Sequence, residues 1–501
     1  MPPRMKISVD AYCLRGVKCG HAETGRSSPA YSAGIQGVLQ QMKRNKPNNS
    51  TVRDMTSGPI LRQLVSFALP LMLGNIFQML YNTVDSVIVG NFVSKQALAA
   101  IGSTTMIVNL LVFFFNGFSI GAGVVIGQYF GARNPEKVHD SVQTTMAATF
   151  ILSILLSILG VVLVRPLLVL MNTPDDVFRD AALYLRIYIG GISGLLIYNM
   201  GSGILRAVGD STRPLYFLIL TSLLNIVLDL FFVLVLKAGI AGAAIATILS
   251  QFVSAVLTLV LLTRTQDIYR LNWKGLRIDG PILRKIFSIG MPTGLQAIIT
   301  SISNIFVQGY INVFGSGVMA GWSSYNKLDQ FILLPMQSMA MASTTFVSQN
   351  TGAGNEQRSD RGTAAALVLA SAITAGIAAL LYVYAPAAVR LFSPDAEVIE
   401  YGALFLHTNV FFLVFNCVNH VLAGALRGRG DSKGPMIIML STFVGLRQIY
   451  LFLVTRFVAN TPRIVGFGYP AGWVSCCVIE LLYYRIRKKY RPAEQLLSRA
   501  E

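Results

Sequence analysis

Long apolar runs separated by short polar segments form the main pattern of this sequence. A helix needs roughly 20 apolar residues to cross a hydrocarbon core of about 30 Å, and twelve runs approach or exceed that length. The pattern therefore predicts an all-α integral membrane protein with twelve transmembrane helices. The runs lie near residues 60–88, 98–127, 141–168, 181–204, 214–236, 240–263, 282–313, 318–348, 362–387, 399–425, 435–457 and 466–486.

A polar, basic stretch divides these runs into two sets of six. Short matches between the two sets recur at an offset of 221 or 222 residues, which indicates gene duplication and two pseudo-symmetric six-helix bundles. Because six helices return the chain to its starting side, the repeats are parallel. The matches are GPILR at 58–62 and 280–284, Pro70 and Pro292, GQYFGARN at 127–134 and SQNTGAGN at 348–355, and ILRAVGDS at 204–211 and ALRGRGDS at 425–432.

These observations set the domain boundaries. We predict an amino-terminal lobe at 55–263 with helices 1–6 and a carboxy-terminal lobe at 282–488 with helices 7–12, joined by a cytoplasmic linker at 264–281. Residues 489–501 form a cytoplasmic tail. Residues 1–54 are polar, contain nine Lys or Arg against three acids, and predict a disordered basic cytoplasmic tail. A start codon assigned too far upstream is an alternative explanation for this segment, because Met55 opens an ordinary amino terminus.

The distribution of positive charge orients the chain. From Met55 onward about 22 Lys and Arg fall in loops and ends assigned to the cytoplasm and about eight outside. Both termini are therefore predicted to be cytoplasmic. The net charge of +18 accompanies 53% hydrophobic and 13% charged residues, and basic clusters beside apolar spans are typical of contact with anionic membrane lipid. We expect no nucleic-acid partner.

Two acids within the predicted spans are candidates for function, because a charged group at the bilayer centre is costly. Asp85 lies on helix 1 and Asp229 on helix 5. Helical spacing places Gln78, Tyr81 and Asp85 on one face, and Asn225 on the face of Asp229. Thr247 on helix 6 adds a hydroxyl group. Two carboxyl groups beside an amide and a hydroxyl are suited to holding a proton or Na⁺, and we predict no other metal site.

Structural alternatives remain for these residues. Asp229 lies eight residues before Lys237, so it could cap a helix or form an ion pair near the membrane edge. Arg206 and Arg427 occupy equivalent turns of the two lobes, where they could pair with acids or lipid phosphate. They are predicted to act as structural locks rather than as substrate ligands.

The carboxy-terminal lobe does not repeat the two intramembrane acids of the amino-terminal lobe. The positions equivalent to Asp85, Asn225 and Asp229 hold Val307, Leu446 and Tyr450. Other polar residues, among them Lys327 and Asn416, could be either substrate contacts or interhelical hydrogen-bonding groups. We therefore expect ion coupling to reside in the amino-terminal lobe alone.

The segment YNTVDSVIVGN of helix 1, the two-lobe repeat and the paired loops together resemble the multidrug and toxic compound extrusion (MATE) family over residues 55–490. The similarity is nearer its bacterial DinF/MepA-like branch than its NorM branch. The NorM-like pattern implies a glutamate on helix 7, but no acid occurs around 296–301, which argues against a cation site in the carboxy-terminal lobe. The resemblance implies two bundles around a central cleft. It also implies cation-coupling residues at Asp85, Asn225, Asp229 and Thr247, a hinge at Pro70, and cleft residues at Gln78, Tyr81, Asn199, Lys327 and Asn416.

The resulting hypothesis is a secondary active antiporter that exports amphipathic, often cationic drugs or toxins in exchange for H⁺ or Na⁺ by alternating access. It is expected to act without a cofactor, as a monomer, in a bacterial plasma membrane. The alternative within transport is a lipid-linked oligosaccharide flippase, which would favour several cavity arginines for pyrophosphate. An intramembrane enzyme is not indicated, because the sequence has neither HExxH nor GxSxG.

Overall fold

The computed structural model describes residues 52–497, and the first 51 residues, which include most of the predicted tail, lie outside the described residues. Within the described part, eleven helices are long and apolar enough to cross a membrane, and a bent pair makes a twelfth span. We number the spans α1 (Ile60–Phe92), α2 (Lys95–Gly131), α3 (Pro135–Leu170), α4 (Asp175–Gly190 and Ser193–Ala207), α5 (Thr212–Val235), α6 (Gly239–Arg264), α7 (Gly280–Asn312), α8 (Ser316–Gly352), α9 (Glu356–Val383), α10 (Ala396–Gly428), α11 (Lys433–Phe457) and α12 (Pro462–Lys489).

The predicted all-α fold with two sets of six spans is confirmed. Most helices begin before their apolar run and continue beyond it, because a run records the hydrocarbon core alone whereas a helix can continue into the interfacial region. α9 is an exception, since it ends at Val383, four residues before the predicted end of its run at 387. α4 bends by 46° at Gly191 and Ile192. Between α6 and α7 the linker holds one short 3₁₀ turn, Trp273–Gly275.

Irregular turns within two spans interrupt the regular hydrogen bonding. The last part of α5, Phe231–Val235, and the centre of α11, Leu440–Leu446, are π-helical. Such turns are frequent at functional sites, and the first begins two residues after Asp229.

The outer surface of the bundle carries large apolar side chains. Leu170 is 79% exposed and Leu391 is 83% exposed, and many other Leu, Ile, Val and Phe residues of the spans lie open on the same surface. A soluble protein rarely exposes contiguous apolar patches of this extent. This surface fits a lipid environment.

The last residues of the even-numbered helices all lie on the same side of the molecule. We call this side the closed end. Two reciprocal hydrogen bonds join the lobes there. Gln128 of α2 donates to the carbonyl oxygen of Gly428 at 3.0 Å, and Gln349 of α8 donates to that of Ala207 at 2.8 Å. Both donors and both acceptors are separated by the repeat offset of 221, so the pair obeys the internal two-fold symmetry.

Close crossing of α2 and α8 makes these bonds possible. A Cβ atom on Gly131 would overlap the carbonyl oxygen of Gln349, and one on Gly352 would overlap that of Gln128. Glycine is therefore needed at both positions for close backbone approach. After the crossing, Arg133 takes a left-handed conformation with φ 54°, and its equivalent Gly354 has φ 71°.

The chain just before Met55 also contacts the closed end. The Arg53 amide donates to the carbonyl oxygen of Val208 at 3.3 Å, and the Met55 amide donates to Oε1 of Gln349 at 2.8 Å. Residues 52–54, which the sequence assigns to the tail, therefore join the packed part of the molecule.

Candidate functional site

A polar cavity of about 210 Å³ lies within the amino-terminal lobe and faces α8 of the other lobe. Side chains of α1, α4, α5 and α6 form most of its wall, and α8 contributes Gln337, Ser338 and Met341. The other lining residues are Pro70, Leu71, Gly74, Asn75, Gln78, Tyr81, Asn116, Leu195, Tyr198, Asn199, Arg206, Ser211, Pro214, Leu215, Leu218, Thr221, Ser222, Asn225, Thr247, Ser250, Gln251 and Ser254.

Helical periodicity explains how the polar wall is built. On α1, Asn75 and Gln78 stand three residues apart, and on α6, Thr247 and Gln251 stand four apart, so each pair shares one face. In both helices the remaining faces are largely apolar. Each helix can therefore present amides and hydroxyls to the cavity while it keeps an apolar surface toward its neighbours and the lipid.

The acids predicted for coupling lie one helical turn beyond this wall. Asp229 follows Asn225 by four residues on α5, and Asp85 follows Tyr81 by four residues on α1. An electrostatic interaction links the two carboxyl groups, and Tyr184 of α4 interacts with both. The acids of α1 and α5 therefore lie close enough to interact electrostatically.

These polar groups are buried without the hydrogen bonds that burial usually demands. Asp229 is fully buried and Asn225 is 2% exposed. Neither oxygen of Asp229 and neither side-chain polar atom of Asn225 has a hydrogen-bond partner within residues 52–497, and Oδ1 of Asp85 has none either. Unpaired buried polar groups are rare and costly. A cluster of such oxygens is chemically suited to a proton or a monovalent cation.

The structural alternative for Asp229 finds no support in this geometry. Lys237 lies beyond the π-helical end of α5, in a left-handed conformation with φ 50°. In the described part of the chain no ion pair joins Lys237 to Asp229. Asp229 also caps no helix end, since the α5 helix continues past it.

Six predicted residues line the cavity itself. They are Pro70, Gln78, Tyr81, Asn199, Asn225 and Thr247. Asn199 donates its amide to the carbonyl oxygen of Leu195 at 3.0 Å, and Thr247 donates its hydroxyl to that of Ala243 at 3.0 Å. Within residues 52–497 neither side-chain oxygen accepts a hydrogen bond, so both can accept one from a bound molecule.

Two predicted cleft residues lie elsewhere. Lys327 is exposed, and its ammonium group lies 5.5 Å from the centroid of the Phe392 ring. Ten residues separate it from Gln337, which corresponds to roughly 15 Å along α8, and this separation keeps it away from the cavity. Asn416 is 4% exposed within α10 of the carboxy-terminal lobe and does not line the cavity.

Several residues of the site were not singled out by the sequence. Gln251 and Gln337 line the cavity, and the signal for Gln251 was its position four residues after Thr247 on one helical face. The carboxy-terminal lobe also contains buried acids that sequence equivalence did not reveal. Glu480 of α12 is fully buried, and Oδ1 of Asp329 on α8 is buried without a hydrogen-bond partner within residues 52–497.

A duplicated, two-lobed bundle of membrane-spanning helices around a buried polar cavity defines an integral membrane transporter. The profile of the MatE family matches residues 70–231 and 292–453, one segment in each lobe. The chain therefore belongs to the MatE family. Relatives named multidrug resistance proteins support its function as a drug and toxin efflux antiporter.

Individual proteins agree with this assignment. The chain is 31% identical over 438 residues to the probable multidrug resistance protein YpnP of Bacillus subtilis (strain 168), covering 86% of this chain and 96% of that protein. It is 26% identical to the probable multidrug resistance protein YoeA of the same organism, over 92% of this chain and 99% of that protein. An outward-facing structure of a multidrug resistance MATE family transporter of the MOP superfamily shares the fold, with a TM-score of 0.82, 23% identity, and coverage of 88% and 98%.

Proposed function

We propose that Asp85, Asn225, Asp229 and Thr247 form the cation-coupling site of this efflux antiporter. The observation that carries the proposal is the cluster of buried oxygen and nitrogen atoms on Asp85, Asn225 and Asp229 that have no hydrogen-bond partner within residues 52–497. Asn225 lines the cavity, and the two acids lie directly beyond it. The coupling ion is H⁺ or Na⁺. Either ion would neutralise a buried carboxylate, which gives the ion-bound and ion-free states different energies.

In the proposed cycle the substrate enters the cavity from the cytoplasm and leaves on the other side. Binding of the ion at the two acids changes the preferred arrangement of α1, and the substrate is displaced outward. Pro70 supports a hinge because it removes one backbone hydrogen bond from the interior of α1. In membrane helices such a freed carbonyl group is tolerated where protein neighbours satisfy it.

The flippase alternative is not favoured. A pyrophosphate-linked lipid requires several positive charges, whereas, in the described chain, Arg206 is the single arginine among the residues that line the cavity.

We propose further that the protein acts as a monomer in a bacterial plasma membrane, with both termini in the cytoplasm and its outer surface in contact with lipid. The positive charge of the closed end supports this orientation.

The test is efflux of a fluorescent dye from proteoliposomes under separately imposed proton and sodium gradients. Transport driven by one gradient and abolished by its collapse supports the antiporter and identifies the ion. If neither gradient drives accumulation of any of several amphipathic dyes, the proposed coupling is wrong.

A further inference from the structure

The charge of the cavity differs from the charge expected for binding organic cations. Within the described chain, Arg206 is the single charged side chain among the residues that line it. The other polar groups are neutral amides and hydroxyls. Asp85 and Asp229 do not line the cavity. A bound molecule therefore meets one fixed positive charge.

Arg206 also lacks the acidic partner that its equivalent has. Arg427, at the same place in the carboxy-terminal lobe, interacts electrostatically with the buried Glu480 of α12. The residue equivalent to Glu480 at the offset of 221 is Leu259 of α6. At these equivalent positions both lobes carry the arginine, whereas the acid occurs in the carboxy-terminal lobe and a leucine replaces it in the amino-terminal lobe.

The hydrogen bonds of Arg206 leave most of its donors available. Its guanidinium donates to Oγ of Ser119 at 3.2 Å, and it interacts electrostatically with the Tyr198 hydroxyl. In the described part of the chain, no carboxylate forms an ion pair with it. A guanidinium carries five N–H donors in a planar fork, which matches a carboxylate or phosphate.

The two ends of the cavity have different chemistry. Arg206 stands at the closed end, one residue before α4 finishes. Asn225, beside the coupling acids, stands 13 residues along α5 from Thr212 at the same end, which is roughly 20 Å. Leucines of α1, α4 and α5 and Met341 supply apolar surface between them.

From this arrangement we propose that the cavity selects amphipathic substrates that carry a carboxylate or phosphate group, bound at Arg206. The apolar body lies against the leucines, and the neutral amides accept its remaining polar groups. The conclusion that the bound molecule is an export substrate rests on the proposed function. The binding step itself needs no ion gradient.

The experiment measures binding to the full chain in phosphatidylcholine nanodiscs by titration calorimetry. The probes share one aromatic body: 2-naphthylacetate, 2-naphthaleneethanol and 2-(2-naphthyl)ethylamine. We expect the carboxylate to bind about 10-fold more tightly than the alcohol, and the amine most weakly, because charge-assisted hydrogen bonds are stronger than neutral ones. Equal or tighter binding of the amine would overturn the proposal.

Three variants isolate the guanidinium. Arg206→Gln should remove the preference for the carboxylate while it leaves affinity for the alcohol unchanged, which also shows that the variant is folded. Arg206→Lys should keep part of the preference. Leu259→Glu supplies the missing acid and should abolish the preference, whereas Leu259→Gln should retain it. Equal loss for carboxylate and alcohol in Arg206→Gln would contradict a specific anion contact.

A lipid headgroup is the other source of such an anion. Nanodiscs that contain phosphatidylglycerol distinguish the two, because a lipid bound at Arg206 would compete with 2-naphthylacetate and overturn the assignment to a substrate. If the carboxylate is not preferred but gradient-driven dye efflux is observed, the anion-binding proposal fails and the proposed function stands. If the carboxylate is preferred but no gradient drives efflux, the proposed function fails and the anion-binding proposal stands.

Discussion

Single carboxyl groups of this protein differ in the hydrogen-bond partners that the fold gives them. Asp229 is buried with no hydrogen-bond partner in the described chain, whereas Asp210 at the closed end accepts hydrogen bonds from the amides of Thr212 and Arg213. The second arrangement stabilises a turn. In the first, no donor within residues 52–497 compensates the charge of the acid, so the proposed binding of an ion would change the energy of the site.

Asp85→Asn is expected to abolish gradient-driven efflux. The amide keeps the size and hydrogen-bonding capacity of the carboxyl group but cannot take up a proton, so equilibrium binding of substrate should persist. A coupling energy of about 1 to 3 kcal/mol corresponds to a loss of accumulation of about 5- to 150-fold. Asp229→Asn should have the same effect or shift the pH dependence, because two interacting acids titrate as a pair. Efflux and binding are measured on the same proteoliposomes.

Asp176→Asn is the matched control, since this acid is exposed in the first turn of α4. It should transport as the unmodified protein does. Concentration of substrate by Asp85→Asn with unaltered dependence on pH and sodium would show that the coupling site lies elsewhere.

Lys327→Met tests a residue that lies away from the cavity. Its contact with the Phe392 ring is exposed, and such cation–π contacts contribute about 0.5 to 1 kcal/mol. We expect a small loss of thermal stability and unchanged ion coupling, as measured by thermal unfolding and dye efflux. If transport by this variant no longer depends on the ion gradient, Lys327 takes part in ion coupling.

At the scale of elements, the crossing of α2 and α8 closes the molecule at one end. Gly131 and Gly352 are related by the internal symmetry, and each faces a backbone carbonyl oxygen of the other helix. The reciprocal bonds of Gln128 and Gln349 depend on this approach. Opening of the closed end therefore requires that both bonds break.

Gly131→Ala should shift the protein toward a state that is open at this end. The added methyl group overlaps the Gln349 carbonyl oxygen, so the helices must separate. Thr345 is 5% exposed beside this crossing and serves as the reporter position. A Thr345→Cys reporter in a cysteine-free background should react several-fold faster with a maleimide in the Gly131→Ala variant.

Gly102→Ala is the comparison for this experiment, because a Cβ atom on Gly102 of the same helix meets nothing within 4 Å. It should leave the reporter rate unchanged. An equal rate in both variants would mean that the glycine crossing does not hold the end closed.

For the whole molecule, the distribution of positive charge predicts the orientation in the membrane. An exposed Asn272→Cys in the linker should resist an impermeant maleimide added outside intact cells, and it should react after the cells are permeabilised. Asn460→Cys, exposed between α11 and α12 at the other end, provides the external control and should react in intact cells. External labelling at position 272 would refute both the topology and the argument for parallel repeats.

The sequence alone determined the number, order and approximate bounds of the spans and the division into two lobes. The reason is physical: backbone groups in hydrocarbon must be satisfied within each segment, so an apolar run long enough to span is a helix. Helical periodicity also determined which side chains of α1 and α5 share a face. The positions of Asp85, Asn225 and Asp229 beside one cavity agree with that periodicity.

Tertiary structure decided which of these side chains meet. Lys327 and Gln337 lie on one helix, yet the packing of α8 brings Gln337 alone of the two to the cavity. Arg206 and Arg427 look alike in the sequence, and they differ because Glu480 of α12 packs near Arg427 while Leu259 occupies its place on α6. Contacts between helices far apart in the chain depend on the packing of the whole bundle, and no local pattern of residues encodes them.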